Sequence, residues 1–234
     1  SARPTRHTGR HHRSVWPARG LLLVVLLVAV TGVAGILGTP VAARSDAEYA
    51  AQAMVAKAEI LAPLSDDQLV IVAPSRWLLG LSKRSRVLGR FQHVHIDNPS
   101  LVAPELPRAG CKAELGLPVD GKLVLFISDN LRNPRKGFDL LFAAVRRLAV
   151  DAKVNLVGLG QRSDVPEGLR VSFPGTISDE GMLARYLSCA DALVLPSVAE
   201  NAPLVIIEAL TCGTPVVAFD VGGIPELFTA ESGV

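Results

Sequence analysis

From residue 69 onward the sequence repeats one pattern: a short, unbroken apolar run, a loop, and then a stretch with helical spacing. The runs lie at 69–73, 93–96, 123–128, 154–158, 171–173, 192–195 and 216–219, and helices are predicted from Ser75 and over 138–148, 179–188 and 204–211. An alanine-rich helix over 46–61 precedes them, with Asp46 and Glu48 suited to its N-terminal turn. A strand with one wet face alternates apolar and polar residues, whereas a continuous apolar run is buried on both faces. Such runs separated by helices predict an α/β fold, a parallel sheet covered by helices on both sides. With about half of its 234 residues apolar, the chain can bury one core with appendages. Parallel sheets of this kind bind ligands where the carboxyl ends of strands pass into loops and helices, so those loops are where chemistry is expected.

The net charge of +2 is unevenly spread. Residues 1–43 hold Arg3, Arg6, Arg10, Arg13 and Arg19 and no acid, leaving −3 for the rest and no basic surface for nucleic acid. Residues 21–43 carry no charge and are long enough, at roughly 20 residues or more, to form a hydrophobic helix that crosses a bilayer. The competing readings are a signal peptide cleaved near Val41-Ala42-Ala43 and a hydrophobic helix buried in a domain. Positive-inside orientation of a membrane anchor would place the remainder outside the cytoplasm. Cys111, Cys189 and Cys212 are odd in number and lack zinc spacing, which predicts buried, unpaired thiols and neither a disulfide framework nor a metal site.

Four loops follow the later strands. The first, 129–137, holds Arg132, Arg135 and Lys136, cations that would neutralise a diphosphate or would simply be a solvated basic loop. The second begins Gly158-Leu159-Gly160, like a dinucleotide fingerprint, but Ser163 stands where the third glycine belongs. Pro166 and Gly168 then break the helix that should receive the pyrophosphate, so NAD binding is rejected. The third runs from Ser197 through Glu200, Asn201 and Ala202 to Pro203 and Leu204. Pro203 suits the first helical turn, and the freed amides of Ala202, Leu204 and Val205 make an anion site that Glu200 faces. Glu208, more than a turn into the helix, is placed to accept hydrogen bonds from a diol. The fourth carries Gly222-Gly223, which allows either close backbone approach to a ligand or only a tight turn.

The order and spacing of these motifs resemble family 4 of the retaining GT-B glycosyltransferases. The residues are Lys136-Gly137-Phe138-Asp139, Leu195-Pro196-Ser197, Glu200 and, after seven intervening residues, Glu208-Ala209-Leu210, then Cys212-Gly213-Thr214-Pro215, and Gly222-Gly223-Ile224-Pro225-Glu226. A weaker likeness extends upstream through Pro74-Ser75-Arg76-Trp77-Leu78 and Asn98-Pro99. The resemblance implies a Rossmann-like domain that forms the C-terminal half of a GT-B fold. It implies a nucleotide-sugar donor, UDP- or GDP-linked, and transfer of a hexosyl group to a glycan or lipid-linked acceptor with retention. Glu200 would contact the donor hexose, as the catalytic residue, and Glu208 the ribose. Lys136 with Arg132 or Arg135 would hold the diphosphate, together with the 201–204 loop, and no metal or cofactor is called for. Asn130 stands where the family commonly has an arginine. The expected organisation is a basic tail and hydrophobic helix over 1–43, a remnant of the first GT-B domain with linker over 44–110, and the nucleotide-sugar domain over 111–234, shortened at its C-terminus. Nucleotide sugars are cytosolic, so the site is expected in the cytoplasm or on the cytoplasmic face of the membrane, against the orientation the arginines favour. A fragment of the full enzyme is the leading reading, and a non-catalytic, membrane-tethered nucleotide-sugar-binding relic is the alternative.

Overall fold

The computed structural model of the chain describes residues 46–103, 110–128, 133–148, 154–160, 165 and 167–229. The hydrophobic helix expected over 21–43 lies outside the described residues, as do Asn130 and Arg132. Among the described residues no helix is long and apolar enough to cross a membrane.

The upstream part consists of α1 (Asp46–Leu61), β1 (Val70–Ala73), α2 (Arg76–Arg84) and β2 (Gln92–His95). Its two strands pair in parallel, Val70 beside Gln92 and Ala73 beside His95. Ser75 starts α2 by accepting the Leu78 amide on its hydroxyl at 3.1 Å, an N-cap that satisfies one of the helix's orphan donors.

The larger part contains α3 (Cys111–Glu114), β3 (Lys122–Ser128), α4 (Phe138–Arg146), β4 (Val154–Gly160), β5 (Val171–Gly175), α5 (Glu180–Cys189), β6 (Ala192–Leu195), α6 (Leu204–Thr211) and β7 (Val216–Ala218). Its five strands are all parallel, in the order β5-β4-β3-β6-β7. Side chains of β3 and β4 alternate between two clusters, as the strand period requires. Leu123, Leu125, Val157 and Leu159 pack with α5, Ala209 and Cys212 on one face. Phe126 and Leu156 pack with Phe138, Leu141 and Phe142 of α4 on the other. Helices therefore cover both faces, as the unbroken apolar runs predicted.

β4 runs two residues past its expected end, because Gly158 is a packing position inside the strand. A Cβ there would lie 2.7 Å from the rings of Phe126 and Phe173. These rings meet edge-on with centroids 6.1 Å apart, directly over the glycine. The apparent fingerprint glycine thus makes room for aromatic rings, and its neighbour Gly160 closes the strand. β5 passes through Pro174, which is tolerated because β5 is an edge strand and no partner needs the missing amide. The start of β3 is anchored by Asp191, whose carboxylate accepts the Leu123 amide at 2.8 Å and pairs with Lys112 at 3.0 Å and Lys122 at 3.3 Å. Burial alone would raise its pKa, but the Leu123 amide and the two lysines outweigh burial and hold it at about 2. Cys111, Cys189 and Cys212 are buried and form no disulfide among the described residues, as expected.

Candidate functional site

The strand order fixes where the site lies. The chain goes from β3 outward through β4 to β5, then crosses back so that β6 lands on the other side of β3. The connections leaving β3 and β6 therefore turn in opposite directions, and the crevice between their carboxyl ends is the topological switch point. Two of the four loops singled out in the sequence, the basic loop after β3 and the Glu200 loop after β6, meet there.

Each loop has its own reason to adopt this form. After β3, Asn133 caps a short 3-10 turn (Pro134–Lys136) by accepting the Arg135 amide at 3.0 Å. Gly137 ends the turn with φ 66°, a left-handed conformation. It also abuts the neighbouring loop so closely that a Cβ would fall 1.8 Å from the Pro196 carbonyl oxygen. The Val198 amide donates to the Arg135 carbonyl at 2.9 Å, and Arg135 Nη1 donates to the Ala199 carbonyl at 2.7 Å. Lys136 Nζ consequently reaches Glu200 Oε1 at 2.8 Å, with Arg135 3.3 Å from the same oxygen. Glu200 Oε2 takes no donor among the described residues, so one carboxylate oxygen aligns the cations while the other remains able to accept from a ligand hydroxyl.

α6 opens behind this cluster. Pro203 is its N-cap, one position earlier than the first-turn place expected, because its ψ of 120° is extended. The outcome for the amides is similar: the Ile206 amide turns back to the Pro203 carbonyl, while those of Leu204 and Val205 have no acceptor among the described residues. Helix N-terminal amides of this kind favour an anion. Glu208 faces inward with 8% of its surface exposed. Desolvation, and secondarily the nearby charge of Glu180, push its pKa up. Among the described residues its carboxylate has no hydrogen-bond partner, an arrangement that suits a ligand able to donate hydroxyl hydrogens.

Gly222 and Gly223 approach protein backbone closely. A Cβ on Gly222 (φ 63°) would sit 1.8 Å from the Glu200 carbonyl oxygen, and one on Gly223 would sit 2.3 Å from the Asn201 carbonyl oxygen. The doublet holds the Glu200 loop, and the Gly223 amide donates to the Glu200 carbonyl at 3.3 Å. The sequence reasoning gave no role to three residues that the structure brings to this loop. Ser75 Oγ donates to Asn201 Oδ1, Asn98 Nδ2 donates to the Ala202 carbonyl at 3.0 Å, and Glu226 accepts the Arg76 and Trp77 amides at 2.6 and 2.7 Å. Ser75, Asn98 and Glu226 were visible only as members of motifs.

Comparison with known proteins gives the class: the structural neighbours and the relatives are glycosyltransferases, and the likeness is to the C-terminal half of the GT-B fold. The stretch 121–234 matches the model of the family Glycosyl transferases group 1. A D-inositol 3-phosphate glycosyltransferase of Mycobacteroides abscessus is 38% identical over 131 residues, covering 50% of this chain and 29% of that protein. The chain thus spans less than a third of that relative's length. Sucrose-phosphate synthase of Thermosynechococcus elongatus superposes with a TM-score of 0.60 at 30% identity, over 78% of this chain and 47% of that one. HepE of Anabaena, solved in complex with UDP and glucose, superposes with a TM-score of 0.58 over 79% of this chain and 53% of its own. At 20% identity its likeness is one of fold.

Proposed function

We propose that this chain carries the donor-binding half of a retaining hexosyltransferase that takes its sugar from a UDP- or GDP-linked donor. The observation that carries this reading is the Lys136–Glu200 pair at the switch point, set beside the free amides of α6. A diphosphate placed there meets Lys136, Arg135 and the positive end of the helix together. Glu200 Oε2 then faces the sugar bound to that diphosphate, and Glu208 accepts from the two ribose hydroxyls. When the bond from the anomeric carbon to the diphosphate breaks, the electron pair goes to the phosphate oxygen. The cations and helix amides are already oriented toward that developing charge, which lowers the barrier without reorganisation. The reading needs no metal or cofactor, because protein groups supply the positive charge. For the acceptor we propose a glycan or lipid-linked saccharide, as the family resemblance implies. Because nucleotide sugars are cytosolic, we place the working site in the cytoplasm or on the cytoplasmic face of the membrane, with residues 21–43 as a candidate tether.

Calorimetric titration of the chain with UDP and GDP tests this reading, with Lys136→Ala as the comparison and circular dichroism as the check on folding. One nucleotide should bind, and the substitution should weaken it about tenfold or more, as loss of a charge-assisted contact of roughly 1.5–3 kcal/mol requires. A folded wild-type sample that binds neither nucleotide defeats the proposal.

A further inference from the structure

The loop that presents the anion site is held in part by residues outside the family-matched segment. Of the polar groups between Ser197 and Pro203, the Asn201 side-chain oxygen is held by Ser75 and the Ala202 carbonyl by Asn98, across 126 and 104 residues of sequence. Both contacts come from the segment that includes β1, α2 and β2. That segment is itself tied back by Glu226, whose two carboxylate oxygens accept the first two amides of α2, across 150 and 149 residues. Little slack remains between these points: a Cβ on Gly223 would lie 2.7 Å from Ser75 Cβ, and Ser75 is 1% exposed.

The consequence for the anion site is electrostatic. A peptide carbonyl beside α6 would repel a phosphate if it turned toward the free amides. The Ala202 carbonyl is the one at issue, because its peptide partner is Pro203, which offers no N–H in exchange if the peptide flips. Asn98 holds that carbonyl toward itself, and Ser75 holds the adjacent Asn201 side chain. We infer that Asn98 and Glu226 are positioning residues for the diphosphate: Asn98 fixes the Ala202 carbonyl away from the phosphate, and Glu226 keeps the upstream segment seated so that Asn98 and Ser75 reach the loop. This inference rests on the donor reading proposed above.

The test compares Asn98→Leu and Glu226→Gln with the wild-type chain, each close in size to the native residue. The readout is the ratio of affinities for UDP over UMP and for GDP over GMP, with thermal unfolding measured alongside. The ratio isolates the second phosphate, so a residue that merely stabilises the fold changes the melting temperature and leaves the ratio alone. Loss of a hydrogen bond that orients the site should lower the ratio about fivefold in each variant. Ser75→Ala should act in the same direction and provides a third reading if one variant folds poorly. An unchanged ratio in folded variants, with wild type binding the diphosphate, overturns the inference and leaves the donor reading standing. Absence of nucleotide binding by folded wild type overturns both.

Discussion

Gly137→Ala isolates the contact on which the site depends. The residue sits at φ 66°, and the left-handed region costs an alanine about 1–2 kcal/mol. The larger effect is steric. The new Cβ would lie 1.8 Å from the Pro196 oxygen, where ordinary contact begins near 3.4 Å, so the loops after β3 and β6 must part by about 1.6 Å. Applied along the Lys136–Glu200 contact, that movement stretches 2.8 Å to about 4.4 Å, too long for a hydrogen bond. The Arg135 carbonyl to Val198 amide bond crosses the same gap at 2.9 Å and is worth about 0.5–1.5 kcal/mol. Together these terms predict a loss of about 2–4 kcal/mol, a large share of a domain stability of about 5–15 kcal/mol. Gly116→Ala is the control: its φ is 64°, and a Cβ there meets nothing within 4 Å, so it pays only the backbone term. Urea unfolding of both variants, with UDP and GDP titration on the folded samples, decides the matter. Gly137→Ala should exceed Gly116→Ala by at least about 1 kcal/mol and weaken nucleotide binding about tenfold or more. Equal losses with unchanged binding would refute the claim that this close approach sets the Lys136–Glu200 geometry.

Two further outcomes follow from buried or anchored carboxylates. Glu208→Gln should move stability and binding in opposite directions. Burial raises the Glu208 pKa, so its ionised form is penalised in the folded state above that raised value, and the penalty disappears as pH falls through it. The glutamine variant should therefore unfold at higher urea concentration at neutral pH, yet bind nucleotide about tenfold or more weakly. Concordant losses of both would indicate a structural carboxylate. Asp191 has the reverse sign: its folded pKa of about 2 lies below the unfolded value, so its stabilisation is complete above the unfolded pKa and is lost as pH falls toward 2. Asp191→Asn should lower stability at neutral pH and flatten its acid dependence between about pH 4 and 2, read from urea midpoints across that range. A variant with the wild-type slope there would show that the Leu123 amide and lysine contacts are not what depress it.

The parallel sheet was legible because burial on both faces leaves a compositional trace. The run 123–128 is apolar at every position except its end, and the structure sends Leu123 and Leu125 to one cluster and Phe126 to the other. Boundaries were less legible where packing overrode local signals. Gly158 reads as the start of a loop, and only the rings of Phe126 and Phe173 above it explain why the strand continues. Pro174 reads as a strand breaker until the strand order places β5 at an edge. The bounds of α6, 204–211, stand as read, and only the role of Pro203 differs, since its extended ψ makes it the cap and not a residue of the first turn.

The site divides along the same line. Lys136 and Glu200 were identified because each lies in a loop leaving the carboxyl end of a strand, and Glu208 because it lies on the helix that follows such a loop; those positions are inherited from the topology. What a local reading cannot supply is the partner of each group when that partner is distant in the sequence. Gly222-Gly223 signals close approach, yet nothing local says that the approached atoms are the Glu200 and Asn201 carbonyls. Glu226 follows two glycines and a proline and reads as an ordinary charge on a turn, while its carboxylate caps a helix 150 residues upstream. The two kinds of residue differ in what their loss should reveal. Groups that would meet the ligand follow from the topology and should change affinity without a parallel loss of stability. Groups that hold the loop follow only from the folded contacts and should change how selectively the second phosphate is bound.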